Sequence, residues 1–537
     1  MLHDLLDTSA ARWSGHEALR YKGASRSYAA LAERSVALAR GLYSLGVRRS
    51  DRVVVHLHNR PEVVELALAC SRIGAIFVPA NALLKPRQLD YVLRDSGARV
   101  LVCSFVAAAQ LRTVEAVEAL DAVVWCDTAV DGSDVGPRMH AYEELVSSSA
   151  APFTPSAATE DDPAALLYTS GSTGRPKGVV LSQRNITSGA RIVSDYLENT
   201  SSDRILAALP LSFDYGLSQV TTALCVGACA VLTSYTLPAA LVNELVQECI
   251  TGVAGVPTMW MHLAAIEWPP SAAEHLRYIT NSGGALPPAT ISTLVQRAPK
   301  TRVFCMYGLT EAFRSTYLHP DELERRPGSI GKAIAGQEVI VARPDGSECA
   351  PGEIGELVHR GSLVTLGYWN DPELTARRFR PLRRMPAEVP RADVAVWSGD
   401  LAKTDSDGFL YFVGREDHMI KSSGYRISPT DIEEVVLELA GVVETAAIGV
   451  PDDTLGQRIV LAIVAACQNA EEVGDRVRQY CRMQLPPYMV PVEIHVIDAI
   501  PRNVNGKCDP AALRSQLDQG RRTTRNAAAP ERRVRND

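Results

Sequence analysis

The chain has 537 residues, of which 46% are hydrophobic, 22% charged and 6% aromatic, with a formal net charge of -7. That composition is globular and long enough for more than one domain, and it excludes a disordered, collagen-like or coiled-coil chain. The small acidic excess argues against nucleic acid or an anionic membrane as a partner.

The opening MLHDLLDTSAARWSGHEALRY is broken by acids and does not read as a signal peptide. No run approaches the roughly 18 apolar residues of a membrane span. Eleven cysteines are dispersed without a C-x-x-C pair, which points to reduced thiols, no zinc motif and a cytoplasmic location.

In chain order, the spacing of Leu31, Leu38, Leu42 and Leu45 predicts a helix over Tyr28 to Leu45, followed by a strand over Arg52 to Leu57. A helix over Val63 to Ile73, a strand over Ala75 to Val78, a helix over Gln88 to Asp95 and a strand over Val100 to Cys103 come next. Such alternation predicts an α/β fold with parallel sheets. Ser147 to Pro163 reads as a linker. Beyond Gly414 a turn-rich stretch leads to a helix from Pro429 to Leu439, β-rich runs at Glu444–Val450 and Arg458–Ala465, and a helix before Pro486, the content of a small α+β domain. The arginine-rich tail from Gln516 to Asp537 is predicted to be disordered.

Between two β-like runs, Ala164–Leu167 and Val179–Leu181, lies Tyr168-Thr-Ser-Gly-Ser-Thr-Gly-Arg-Pro-Lys-Gly. Gly171 and Gly174 permit close backbone approach. Thr169, Ser170, Ser172 and Thr173 add hydroxyls, and Lys177 a positive charge. Loop amides, hydroxyls and one lysine suit a polyphosphate. The loop is not a Walker A motif, because Pro176 stands where that motif needs its second glycine.

This loop resembles the phosphate loop of the adenylate-forming superfamily of acyl-CoA synthetases, nonribosomal peptide synthetase adenylation domains and luciferase. The resemblance continues, in family order, through Met306-Tyr-Gly-Leu-Thr-Glu311, Trp397-Ser-Gly-Asp400, Gly414-Arg-Glu-Asp417, Ile420-Lys-Ser-Ser-Gly-Tyr-Arg-Ile427 and Pro501-Arg-Asn-Val-Asn-Gly-Lys507. One departure is Ser182-Gln183, where many members carry Ser-His.

The resemblance implies an α/β fold: a large N-terminal domain (1–416) with parallel-rich sheets flanked by helices and a β-barrel-like subdomain, a small mobile α+β C-terminal domain (417–515), and a tail (516–537). It implies adenylation of a carboxylate by ATP and then transfer to a thiol. In that scheme Thr310, Gly308 and the loop residues Thr169 to Gly174 with Lys177 hold phosphates, Glu311 binds Mg²⁺, and Tyr307 stacks on adenine. Asp400 accepts from the ribose hydroxyls with Arg415 nearby. Lys507 bridges the substrate carboxylate and the phosphate, and Asp417 is the hinge. In-line phosphoryl transfer needs positioning and charge neutralisation, which accounts for these residue types.

For the acid, the specificity region begins at Leu209-Pro-Leu-Ser-Phe-Asp-Tyr-Gly-Leu-Ser218. A buried Asp214 without a cation is costly. It therefore points to a substrate amine; the alternative is an Asp capping a helix start. Asp214, Ser282 (before Gly283) and Arg314, with Ser218 a turn beyond Asp214, resemble the stand-alone β-amino-acid adenylation enzymes of macrolactam polyketide pathways. Facing inward, Arg314 would hold a second carboxylate, as in aspartate or 3-methylaspartate; facing outward, it is only a surface or salt-bridge arginine. The expected partner is an acyl carrier protein acting in trans. CoA is the alternative, because Ser423-Gly-Tyr-Arg-Ile-Ser-Pro429 is similar to the CoA-ligase form of its loop.

Overall fold

The computed structural model describes residues 1–104, 111–127, 138–147, 158–169, 176–382, 388–389, 394–415, 419–465, 470–502 and 508–517. The chain divides into two compact units, one covering 1–169 with 176–417 and the other the chain from 418 onward.

The first unit is built on two sheets. In one, strands Arg138–Ala141, Ala122–Trp125, Val100–Cys103, Arg52–His56, Ile76–Ala80 and Pro163–Thr169 run parallel in that order, and Lys177–Ser182 closes the edge antiparallel. Its central strands are buried along nearly their whole length, as strands covered on both faces must be. In the second sheet, Arg204–Ala207, Cys229–Leu232, Gly252–Gly255, Tyr278–Asn281 and Arg302–Tyr307 are parallel. From Arg302–Tyr307 onward the pairing turns antiparallel, through Thr316–Leu318, Ser329–Ala333, Leu410–Arg415, Val394–Thr404, Gly355–Gly361 and Gln337–Ala342. This antiparallel arm occupies the place of the expected barrel-like subdomain.

The helices follow local signals. Ser27 caps Tyr28–Ser44 by accepting from the Ala30 amide, and that helix buries Leu31, Leu38 and Leu42. Helix Pro61–Ile73 ends at Gly74 in the left-handed region. Helix Asp214–Val226 is buried on almost every side, so its apolar residues run all round it.

Expected elements match closely. The structure has Tyr28–Ser44, Arg52–His56, Pro61–Ile73, Ile76–Ala80, Pro86–Ser96 and Val100–Cys103 where the pattern placed them. Most of the expected linker and tail lies outside the described residues. The ten described cysteines are free, and among the described residues no helix is long and apolar enough to cross a membrane.

The second unit has helices Pro429–Leu437 and Ala470–Gln484 on a five-stranded sheet, in which Val442–Asp452 pairs antiparallel with Gly456–Ala465. Ile420, Ile432, Val436, Leu461 and Val477 fill its core.

Asn59 ties the two sheets of the first unit together. Its side-chain N–H group donates to the carbonyls of Ala207 (3.0 Å), Leu209 (2.8 Å) and Thr233 (2.9 Å), and its oxygen accepts from the Leu211 amide (3.1 Å). The side chain is buried, so Asn59→Ala strands several backbone groups away from water and is expected to cost about 3 kcal/mol. A urea unfolding midpoint indistinguishable from wild type would contradict this.

Candidate functional site

Three groups of residues converge in the first unit. The first starts at the hairpin Pro163–Thr169/Lys177–Ser182, where Thr169 pairs with Lys177 at the mouth of the loop. Loop residues Ser170 to Gly174 lie outside the described residues. Thr169 Oγ1 is buried and has no hydrogen-bond partner among the described residues. Lys177 Nζ lies 3.1 Å from Glu311 Oε1 and donates to the Tyr368 hydroxyl at 3.0 Å, and that hydroxyl donates to the same Glu311 oxygen at 2.7 Å. The ammonium also sits 4.2 Å from the Tyr368 ring centroid.

Glu311 belongs to the turn Thr310–Ala312 and is buried, with its backbone carbonyl accepting from both the amide and hydroxyl of Thr365 at 3.0 Å. A single buried carboxylate, completed by phosphate and water oxygens, is a donor set that fits Mg²⁺. Thr169 Oγ1 and Lys177 fit a phosphate in the same way. Tyr368 was not singled out from sequence. It sits in Leu366-Gly-Tyr-Trp, far along the chain from both partners, and nothing local in that stretch announces the contact.

The second group is Tyr307, Asp400, His359 and Phe412. Tyr307 ends strand Arg302–Tyr307 and precedes Gly308, and its hydroxyl donates to Asp400 Oδ2 at 2.5 Å. Asp400 is buried, and its amide donates to Ser398 Oγ at 3.1 Å. Its register partner on the neighbouring strand is Arg415, whose side chain lies outside the described residues. The Tyr307 ring stacks on His359 (centroids 5.9 Å, planes 16° apart) and tilts against Phe412 (6.4 Å). His359 too escaped the sequence reading, since one histidine in Leu-Val-His-Arg carries no periodic signal.

The third group surrounds Asp214. Asp214 is the first residue of helix Asp214–Val226 and not its cap, so the capping alternative does not hold. Ser218 lies one turn on and is buried. Arg314 Nη1 donates to Asp214 Oδ2 at 3.0 Å and to the Phe313 carbonyl at 2.9 Å. Its guanidinium lies 4.6 Å from the Tyr215 ring centroid. Arg314 is 4% exposed, which excludes a surface arginine, while its contact with Asp214 makes it the salt-bridge arginine of the alternative reading.

The turn that aims Arg314 is strained. Phe313 adopts φ 50° and ψ -57°, a region non-glycine residues avoid. It is held there by complete burial against Gly189, where a Cβ would come within 2.4 Å of the phenyl ring. Behind the pair, the Tyr215 hydroxyl meets Thr280 Oγ1 at 2.5 Å, and Trp260 Nε1 donates to the Thr280 carbonyl at 3.1 Å. Ser282 is buried beside this strand end, and Gly283 takes φ 82°, a turn glycine adopts without strain.

Asp214 was expected to lack a cation in the protein and so to need one from the substrate; the chain supplies it as Arg314. Burial pushes the Asp214 carboxyl upward and the guanidinium opposes that shift. Gln183, the departure from the family pattern, accepts from the Leu2 amide (2.8 Å) and the Ser71 hydroxyl (3.2 Å), so it is a fold clamp. Lys507 and Asp417 lie outside the described residues.

The model of the AMP-binding enzyme family matches residues 6–369, and that of the AMP-binding enzyme C-terminal domain matches residues 431–507. The chain is 34% identical to feruloyl-CoA synthase of Amycolatopsis sp over 93% of its own length and 95% of that protein. It is 29% identical to L-proline–[L-prolyl-carrier protein] ligase of Pseudomonas fluorescens over 96% of its length and 99% of that protein. The structure of a double mutant of o-succinylbenzoate CoA synthetase from Bacillus subtilis, bound to a product analogue, superposes with a TM-score of 0.82 at 27% identity, covering 95% of this chain and 98% of that one.

Removing the guanidinium leaves Asp214 as an uncompensated buried charge. Arg314→Met is expected to lose roughly 3–5 kcal/mol of stability at pH 8. Burial already holds the Asp214 carboxyl above its usual range with Arg314 in place, and without the guanidinium it rises further, so the variant's folded state takes up a proton that the unfolded chain does not. The loss therefore shrinks as pH falls towards about 5. Equal losses at both pH values would contradict the assignment.

Proposed function

On the premise that this chain belongs to the AMP-binding enzyme family and is an AMP-forming ligase, we propose that it adenylates an amino acid bearing a second carboxylate, such as aspartate or 3-methylaspartate, and passes it to the phosphopantetheine thiol of an acyl carrier protein in natural-product biosynthesis. In the first step a substrate carboxylate oxygen attacks the α-phosphorus of ATP and pyrophosphate leaves. In the second the thiol sulfur attacks the acyl carbon, AMP leaves, and the thiol gives up its proton.

The buried Asp214–Arg314 pair carries the reading of the acid. As a unit it is neutral. A substrate offering an ammonium to Asp214 and a carboxylate to Arg314 exchanges one neutral arrangement for another, with both charges still compensated. An amine without the second carboxylate leaves the group with an excess positive charge, and a diacid without the amine leaves the reverse. Ser218, Ser282 and Gly283 would line the same pocket.

On the nucleotide side, Tyr307 would stack on adenine, Asp400 with Arg415 would hold the ribose, and Thr169 to Gly174 with Lys177, Gly308 and Thr310 the phosphates. Mg²⁺, held by Glu311, supplies charge neutralisation when bound. Lys177 is already neutralised by Glu311, so ATP phosphates would enter as competing acceptors for its ammonium. Lys507 would join the reacting carboxylate and phosphate. The domains would be 1–416 and 417–515, the second turning about Asp417 between half-reactions.

Acceptance by a carrier protein is supported by the full-length likeness to the prolyl-carrier protein ligase. A second reading, ligation of an uncharged small acid to CoA, is favoured by the feruloyl-CoA synthase likeness and by the fact that the pair is satisfied without any substrate.

ATP–pyrophosphate exchange separates the two. The panel is aspartate, 3-methylaspartate, β-alanine, 3-aminobutyrate, β-phenylalanine, proline and simple fatty and aryl acids. Exchange is expected with the first two, at least about tenfold above β-alanine. Exchange only with acids lacking an amine would overturn the amino-acid reading and favour the second.

A further inference from the structure

His359 is a buried titratable group that none of the roles above employs. It lies on strand Gly355–Gly361 between register partners Val339 and Val396, and is 2% exposed. Neither ring nitrogen has a hydrogen-bond partner among the described residues. A buried imidazole in that condition destabilises the fold relative to an aliphatic side chain. Its flanks are valines, so an aliphatic residue would suit the site better if packing were all that mattered.

What the ring does make is one contact with orientation. It lies almost parallel to Tyr307, with Phe412 tilted against the same tyrosine and Asp400 holding its hydroxyl. Three contacts thus define both the axis and the plane of the Tyr307 ring. A branched aliphatic side chain would fill volume beside the tyrosine without fixing its plane. Burial pushes the His359 pKa down to about 4, against the pull of the Asp400 and Glu311 carboxylates, so the ring is neutral at working pH.

We propose that His359 is a positioning residue for the nucleotide: it fixes the plane of Tyr307 that adenine lies against, at the expense of fold stability. The proposal rests on the reading of Tyr307 as the adenine platform. A residue kept for stability would behave oppositely on removal, which makes the two roles separable.

Calorimetric titration of ATP into the full chain without acid, together with thermal unfolding, tests it on three variants. His359→Leu is expected to weaken ATP binding by about three- to tenfold, the range of one aromatic pairing, while its melting temperature stays level or rises. His359→Phe, which restores a flat ring, is expected to recover part of the affinity, and it carries the measurement if His359→Leu does not fold. Unchanged ATP affinity in His359→Leu, or a loss of affinity accompanied by a lower melting temperature, would overturn the proposal. Tyr307→Ala reports on the underlying reading: if it leaves ATP affinity unchanged, the adenine platform itself is misassigned; if it alone weakens binding, only the role of His359 fails.

Discussion

A carboxylate removed from water must meet a cation or lose its charge, and Asp214 meets Arg314 across 3.0 Å inside the first unit. Much of the surrounding architecture serves that contact. The strained backbone at Phe313 sets the direction of Arg314, and the missing side chain of Gly189 makes room for the phenyl ring that holds the strain in place. Tyr215 supplies an aromatic face to the guanidinium and is itself pinned through Thr280 to Trp260. Asn59 holds Leu209 and Leu211, the approach to helix Asp214–Val226, against the neighbouring sheet.

The nucleotide side shows the same logic with a different outcome. Lys177, Glu311 and Tyr368 form a mutually paired cluster next to the hairpin mouth. Each charge has a partner in the protein. The mutual contacts fix the orientation of these groups, and preorganisation of that kind is what phosphoryl transfer relies on.

Much of the fold was legible in the sequence, for physical reasons. Parallel strands such as Val100–Cys103 are continuous apolar runs, and helices such as Tyr28–Ser44 repeat leucine at helical spacing, so each announces itself locally. The short motifs also located Tyr307, Glu311 and Asp400, whose side chains the structure brings together with Lys177 into two adjoining clusters. Pairings across long sequence separations were not legible. Tyr368 and His359 show no local pattern, and the partnership of Asp214 with Arg314 spans 100 residues. The sequence pattern singled out both members of that pair but gave each a partner in the substrate, because chain order alone does not tell whether two charges face one another or a third molecule.

The proposed acid site is built on this buried pair and would select an acid able to replace both of its charges. The most direct measurement is calorimetric binding of a non-hydrolysable aspartyl-adenylate sulfamate, compared with analogues lacking the ammonium or the second carboxylate. Deleting either charge is expected to weaken binding by about tenfold or more, and the effect of the ammonium should vanish in Asp214→Asn. Equal or tighter binding of an analogue that lacks both groups would contradict the account.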